Sequence, residues 1–105
     1  MKAVISMAAV ALALALAVPA MAQDDAATLY KQKCVTCHAA DGTGSAVGKK
    51  MGAKDLKDPD VVKQSDAELI KTTKEGKGKM PKYEGKLTDD QIKELVKYIR
   101  TLQKK

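Results

Sequence analysis

The sequence contains no tryptophan and no phenylalanine, and only three tyrosines among its 105 residues. A core built from aliphatic side chains alone is small, and a domain of this length is near the size at which such a core becomes marginal. Histidine occurs once and cysteine twice. Because a structural zinc site needs about four protein ligands, these three residues argue against one. A stable fold of this chain therefore requires buried apolar area from another source.

The two cysteines and the histidine form a single motif, Cys34-Val35-Thr36-Cys37-His38. Two cysteines separated by two residues, with histidine directly after the second, form the attachment pattern for c-type haem. On a helix Cys34 and Cys37 lie on one face, where their sulfurs can add to the two vinyl groups of a porphyrin. His38 comes one turn after Cys34, so its imidazole can ligate the iron. The motif predicts one covalently bound haem, which would also form the centre of the core.

Three other interpretations of the motif stay open. A thioredoxin-like dithiol occurs beside a βαβ pattern, and the sequence has no strand pattern. A disulfide between Cys34 and Cys37 would close a very short loop and would leave His38 unexplained. Zinc is the third alternative, with the shortage of ligands already described.

The start of the chain has the composition of a secretory signal. Lys2 is basic, the run Ala3–Val18 is nearly all Ala, Val, Leu and Ile, and Ala20-Met21-Ala22 provides a small-residue cleavage site. The run is shorter than the roughly 20 apolar residues of a membrane span, and alanine is only weakly apolar. We expect residues 1–22 to be a cleaved signal peptide and residues 23–105 to form one soluble periplasmic domain in a bacterium, without stable membrane insertion.

Helix signals follow one another along the rest of the chain. Asp24-Asp25 can cap a first helix that continues through the motif. Asp58-Pro59 is typical of the start of a short helix. Capping boxes at Ser65 and Thr88 predict two more helices, of which the former ends at Gly76 and the latter runs for about 15 residues. Since no strand pattern interrupts them, the fold class expected is all-α.

A second axial ligand has to come from elsewhere in the chain. After the signal segment there are two methionines, Met51 and Met80, and Met80 lies 42 residues after the motif's histidine. That length is enough to pass around a porphyrin to its opposite face. The segment 76–81 is kept irregular by its glycines and proline, which places the Met80 thioether on a loop. We expect Met80 to ligate the iron and Met51 to fill the core, while ligation by Lys79 or Lys82 stays open.

With these features together, the sequence resembles the class I c-type cytochromes of the short bacterial mono-haem type. The resemblance covers residues 23–105: the motif on a first helix, a glycine-rich crossing, the Gly-Lys-Met-Pro loop and a terminal helix. It implies a small all-α fold wrapped around one haem c, with the first and last helices crossing. It also implies thioether bonds at Cys34 and Cys37 and axial ligation by His38 and Met80.

The sequence departs from this family pattern at two places. Ala26 stands where many relatives have glycine at the helix crossing, although a methyl group can be accommodated there. Many relatives also have a proline about ten residues after the haem histidine, and its neighbourhood supplies a carbonyl to the imidazole. Here Val47-Gly48 occupies that region, so the hydrogen-bond partner of His38 is left undefined.

The expected function is single-electron transfer by a monomer that is not an enzyme and has no catalytic residue. Iron with both axial positions filled shuttles electrons between respiratory or dehydrogenase redox partners without binding small molecules. Two alternatives stay open. An open iron site would support peroxidase chemistry or the binding of a gas, and a haem subunit would belong to a larger oxidase or dehydrogenase.

The charge of the chain bears on its partners. Without Lys2 the chain has 18 basic and 13 acidic side chains, a formal charge of +5. The lysines are scattered, arginine occurs once and no nucleic-acid motif is present, so nucleic-acid binding is not expected. A group of lysines around Met80 can steer the protein to acidic patches on redox partners, or can simply solvate the loop. These are Lys74, Lys77, Lys79, Lys82 and Lys86.

Overall fold

A computed structural model of the chain describes residues 25–105, so the predicted signal peptide lies outside the described residues. No helix in this part of the chain is long and apolar enough to cross a membrane. The helices are α1 (Ala26–Lys33), α2 (Val35–His38), α3 (Ala46–Lys50), α4 (Pro59–Val62), α5 (Asp66–Glu75) and α6 (Asp89–Gln103).

The all-α class predicted from the sequence is confirmed. Residues 25–105 contain no β-strand, and strand-like pairing is limited to two isolated bridges. One bridge joins Lys77 to Met80 and the other joins Glu84 to Leu87. Both lie in the irregular segment between α5 and α6, as the glycines and proline of that segment predict.

The first helix begins where its cap predicts but ends earlier than expected. The Asp25 carboxylate accepts a hydrogen bond of 2.8 Å from the Thr28 N–H, and this bond lowers the pKa of Asp25. At Cys34 the backbone turns to φ −113°, which ends α1 at Lys33 and starts the short helix α2. The continuous helix expected through the motif is therefore wrong. The Cys37 N–H donates to the Cys34 carbonyl rather than to that of Lys33, so the ladder of helical hydrogen bonds is interrupted at this residue.

Helices α5 and α6 begin at the predicted residues, and α5 also ends where predicted. In α5 the Ser65 hydroxyl accepts from the Glu68 N–H at 3.1 Å, and Gly76 ends the helix at φ 78°. The α6 capping box includes a bond of 2.8 Å from the Thr88 N–H to the Gln91 side chain, and the helix is 15 residues long. These bonds satisfy backbone donors that no helical turn can satisfy.

The core lies where α6 packs against α1 and α5. Its buried side chains come from these helices and from the connections between them. They are Leu29, Tyr30, Leu56, Val61, Leu69, Leu87, Ile92, Leu95, Val96 and Leu102. Tyr30 and Tyr98 hold α1 and α6 together, with ring centroids 5.2 Å apart and the rings tilted by 52°, a favourable arrangement for two aromatic rings. The predicted contact between the first and last helices is present.

Helix α3, which the sequence analysis did not anticipate, packs on α2. The Ser45 hydroxyl caps it by accepting from the Gly48 N–H at 2.9 Å. A Cβ atom at Gly48 would collide with the carbonyl of Cys37, so only glycine allows this packing. Met51 and Val47 point away from the core and are 41% and 55% exposed. The expectation that Met51 fills the core is wrong, because Gly48 supplies the buried side of α3.

The chain's single arginine, Arg100, ties α6 to the connection between α4 and α5. Its Nε donates to the Asp66 carboxylate at 2.9 Å. Its terminal nitrogens donate to the backbone carbonyls of Val62 and Gln64. A planar guanidinium can serve these acceptors at once, which a lysine cannot do.

Candidate functional site

The motif residues are gathered in one turn in spite of the helix break. The N–H groups of Cys37 and His38 both donate to the Cys34 carbonyl, at 3.2 and 2.9 Å. The two cysteines therefore keep the i, i+3 relation predicted from their spacing. Both are half-buried, and no disulfide joins them.

The environment of the cysteines does not suit redox or zinc chemistry. Burial raises the pKa of Cys34 to about 11, and the Lys33 ammonium opposes this shift only in part. A reactive dithiol instead requires a lowered pKa. Within residues 25–105, no three side chains of His, Cys, Asp or Glu come together as a possible metal-binding group.

His38 is half-buried, and burial lowers its pKa. The imidazole is therefore neutral at neutral pH, which is the form that ligates metals. Its Nδ1 atom is buried and has no hydrogen-bond partner within the described residues. The carbonyl of Lys54 lies near the ring and favours its protonated form, which offsets part of this decrease in the pKa of His38. The contact does not have hydrogen-bond geometry. The structure thus places the Lys54 carbonyl beside the ring.

The chain leaves the motif through a strained residue. Ala39 has φ 62° and ψ 165°, a region that residues with a side chain rarely adopt. The carbonyl of Ala39 accepts a hydrogen bond of 2.6 Å from the Tyr30 hydroxyl. The next turn is held back onto the motif, because Gly44 and Ser45 donate to the carbonyls of His38 and Cys37 at 2.8 and 2.9 Å.

Met80 is half-buried and ends a tight turn, residues 77–80, which we call the Met80 turn. The sequence predicts such an irregular segment here. Lys77 and Met80 exchange backbone hydrogen bonds of 3.2 and 2.9 Å. At Gly76, a Cβ atom would lie 2.7 Å from the Met80 carbonyl oxygen and 2.9 Å from the Lys82 nitrogen. Glycine is required there both by this crowding and by its φ of 78°.

The structure brings the Met80 turn to the end of α1, directly before the motif. The link is Tyr83, whose hydroxyl donates to the Lys33 carbonyl at 3.1 Å. The sequence analysis did not identify Tyr83. An aromatic residue three positions after Met80, in an otherwise polar loop, is a signal that could have revealed it.

The lysines near Met80 fall into two groups. Lys77, Lys79, Lys82 and Lys86 are exposed and form no ion pair with any other described residue. Lys74 instead pairs with Asp89 at 3.2 Å, and this partner raises its pKa. The group available to an outside partner therefore consists of four lysines rather than the five that the sequence suggested.

Comparisons with known proteins agree with this arrangement. The family model described as cytochrome C oxidase, cbb3-type, subunit III matches residues 21–99. The solved structure of the KustC0563 c-type cytochrome is 34% identical, with a TM-score of 0.71 over 76% of this chain and 99% of that chain. The chain belongs to the c-type cytochromes. As a member of this family, it carries covalently bound haem c and acts as an electron carrier.

Two curated relatives of this c-type cytochrome differ in size. The cbb3-type cytochrome c oxidase subunit FixP of Bradyrhizobium diazoefficiens is 37% identical over 76 residues, which are 70% of this chain. Cytochrome c6 of Leptolyngbya boryana is 32% identical over 74 residues, which are 68% of this chain. The chain spans 25% of the length of FixP and 81% of the length of cytochrome c6.

The donor groups of this c-type cytochrome fit a haem c. Two thiols one turn apart match the two vinyl groups of one porphyrin edge. The His38 imidazole is neutral, as ligation of iron requires. Its buried Nδ1 has no hydrogen-bond partner among the described residues, so no regular hydrogen bond orients the ring. A half-buried thioether on the Met80 turn adds a second soft donor suited to haem iron.

Proposed function

We propose that this c-type cytochrome is a periplasmic single-electron carrier with His and Met axial ligation. In this proposal Cys34 and Cys37 form the thioether bonds, and His38 and Met80 ligate the iron. The observation that carries it is the link from Tyr83 to Lys33, which keeps the Met80 turn beside the segment that leads into the motif. The neutral state of the His38 imidazole supports the same assignment.

The bound haem supplies a one-electron couple, and the residues around it set its reduction potential. A thioether in the sixth position favours the ferrous state and raises the reduction potential relative to two imidazoles. Burial of the haem acts in the same direction, because it disfavours the extra charge of the ferric state. With His38 and Met80 both bound, no axial position is left for a substrate, so the protein is a carrier rather than an enzyme.

The partners proposed are respiratory or dehydrogenase proteins that present acidic patches. The support is the group of four exposed lysines around Met80, namely Lys77, Lys79, Lys82 and Lys86. Positive charge near the site of electron exchange steers an encounter with a negative surface and raises the association rate. We propose that the carrier acts as a monomer in these encounters.

An absorption spectrum of the protein from a periplasmic extract tests this proposal. We expect haem that resists acid-acetone extraction, and a ferric form with the weak red charge-transfer band of methionine-ligated iron. Met80→Ala should abolish the band, whereas Met51→Ala, at the exposed residue that follows α3, should keep it. A five-coordinate ferric spectrum would favour an open site for peroxidase chemistry or gas binding. A low-spin spectrum without the band would favour Lys79 or Lys82 as the ligand.

Mass spectrometry of the same protein tests the covalent attachment and the domain boundary. We expect a chain that begins at Gln23 and carries the added mass of one haem. A polypeptide with two unmodified thiols would contradict the assignment of Cys34 and Cys37. A retained segment 1–22 would contradict the predicted cleavage.

A second candidate is a haem subunit of a larger oxidase complex, which the match to the cbb3-type subunit III family and to FixP favours. Purification under mild conditions from membranes and from periplasm separates the two candidates. A free carrier should be recovered from the periplasm alone. Recovery from membranes together with oxidase subunits and oxidase activity would favour the subunit.

A further inference from the structure

Tyr83 joins three parts of the chain that are distant in sequence. It lies three residues after Met80 and is half-buried. Its N–H donates to the Thr73 carbonyl of α5 at 3.2 Å. Its hydroxyl donates to the Lys33 carbonyl at the end of α1 at 3.1 Å, across 50 residues of sequence. Tyr83, just after the Met80 turn, is thus bonded to α5 through its backbone and to α1 through its side chain.

The acceptor of the hydroxyl bond lies at the helix break. In an unbroken helix the Lys33 carbonyl would accept from the Cys37 N–H, but that N–H donates to the Cys34 carbonyl at 3.2 Å. Carbonyls at the end of a helix need partners from outside the helix. The Tyr83 hydroxyl provides one, and the peptide group that it holds is the one that leads into Cys34.

The Met80 turn has few other ties to the body of the protein. Its Lys77–Met80 bonds are internal to the turn. Beyond it, the Glu84 N–H donates to the Lys74 carbonyl at 3.1 Å. Among the hydrogen bonds of the described residues, the Tyr83 hydroxyl makes the only one from a side chain between Gly76 and Leu87. Burial raises the pKa of Tyr83, which keeps the hydroxyl protonated and able to donate.

We propose that Tyr83 is a positioning residue. Its hydroxyl bond to the Lys33 carbonyl holds the Met80 turn against the end of α1 and slows the departure of Met80 from the iron. This inference rests on the proposed ligation by His38 and Met80. Departure of the ligand requires the loop to move away from α1, and the bond has to break when it does. Because a hydrogen bond contributes a net free energy of about 0.5–1.5 kcal/mol, its loss should speed departure by about 2- to 12-fold.

The test uses the ferric, haem-loaded protein and imidazole as the competing ligand. At saturating imidazole the rate of replacement approaches the rate at which Met80 leaves, and loss of the red charge-transfer band reports it in a stopped-flow experiment. We expect Tyr83→Phe to speed replacement by about 2- to 12-fold. Tyr98→Phe is the matched control, because its hydroxyl makes no hydrogen bond within residues 25–105, and it should leave the rate unchanged.

Tyr30→Phe separates a local effect from a general loss of stability. Its hydroxyl bond holds the other end of the motif, at Ala39, so the variant should lower stability without speeding the replacement of Met80. Equal rates for Tyr83→Phe and the unmodified protein, or equal acceleration by Tyr83→Phe and Tyr30→Phe, would overturn the proposal. Absence of the band in the unmodified protein would overturn the proposed ligation as well, whereas an unchanged rate with the band present would overturn only the role of Tyr83.

Discussion

The hydroxyl of Tyr30 donates a hydrogen bond of 2.6 Å to the carbonyl of Ala39, the residue directly after His38. Tyr30 is 1% exposed, and burial raises its pKa, so the hydroxyl remains a donor. Through this bond α1 holds the end of the motif as well as its beginning. The position of the imidazole thus depends on a side chain that lies before the motif in sequence.

Removal of this hydroxyl should destabilise the protein. We expect Tyr30→Phe to lower the free energy of unfolding of the haem-loaded protein by about 0.5–1.5 kcal/mol, because the Ala39 carbonyl loses the shorter of its two hydrogen bonds and keeps only the one from the Gly42 N–H at 3.2 Å. Guanidinium unfolding followed by the haem absorption measures this change. Tyr98→Phe removes a hydroxyl that has no partner among the described residues and should cost much less. Equal unfolding midpoints for the two variants would contradict the role of the Tyr30 bond.

The strained backbone at Ala39 predicts a stabilising substitution. Its φ of 62° and ψ of 165° lie in a region that only glycine adopts readily. We expect Ala39→Gly to raise the free energy of unfolding by about 1 kcal/mol, since the relief of strain exceeds the entropy lost by glycine. Ala40→Gly, at the exposed neighbouring position, should give no such gain. A lower unfolding midpoint for Ala39→Gly would show that the backbone at this residue is not strained.

Gly48 is expected to tolerate no side chain. A Cβ atom there meets the Cys37 carbonyl, so Gly48→Ala must push α3 away from the motif. We expect a loss of about 1–3 kcal/mol in stability together with a lower haem content per polypeptide, measured by the pyridine haemochrome assay. The control is Gly52→Ala, where a Cβ atom meets open space and only the positive φ costs about 1 kcal/mol. Similar haem contents for the two variants would argue against the packing requirement.

Arg100 should contribute more to stability than any of the exposed ion pairs. Arg100→Met leaves the carbonyls of Val62 and Gln64 without their charged donor, and we expect a loss of about 1.5–3 kcal/mol. Lys97→Met breaks only the exposed pair with Glu94 and should cost about 0–0.5 kcal/mol. Thermal unfolding of both variants measures the difference. A loss for Arg100→Met no larger than that for Lys97→Met would contradict the proposed tie between α6 and the α4–α5 connection.

The two groups of lysines should respond differently when their charge is removed. With ferricyanide as an anionic oxidant, the oxidation rate of the ferrous protein should fall as salt is added, because salt screens the attraction. Lys79→Gln should slow the reaction at low salt more than Lys74→Gln, since Lys74 is already paired with Asp89. A rate that does not depend on salt would remove the case for steering by these lysines.

Local signals in the sequence were sufficient to predict most of the helices. Asp25, Ser65, Thr88 and Gly76 act within one turn of their own positions, so a short stretch of sequence contains all the information needed. Helix α3 was missed although Ser45 offers the same kind of signal. The glycines around it suggested a loop instead.

The features that the sequence did not predict depend on contacts between distant segments. The break at Cys34 leaves a carbonyl that Tyr83 satisfies from 50 residues away. The approach of Lys54 to the ring of His38 depends on how the turns after the motif fold back. Met51 was misplaced because nothing in its own neighbourhood shows that Gly48 takes the inward position. Such contacts are set by tertiary packing rather than by local preference.

The order of the helices has a consequence for biosynthesis. Helix α1 packs mainly on α6, which begins about 50 residues after His38. At roughly 5–20 residues per second, a ribosome needs roughly 2.5–10 s to make that stretch. During this interval α1 is complete but the helix that buries its apolar side does not yet exist, so the core cannot close until α6 has been made.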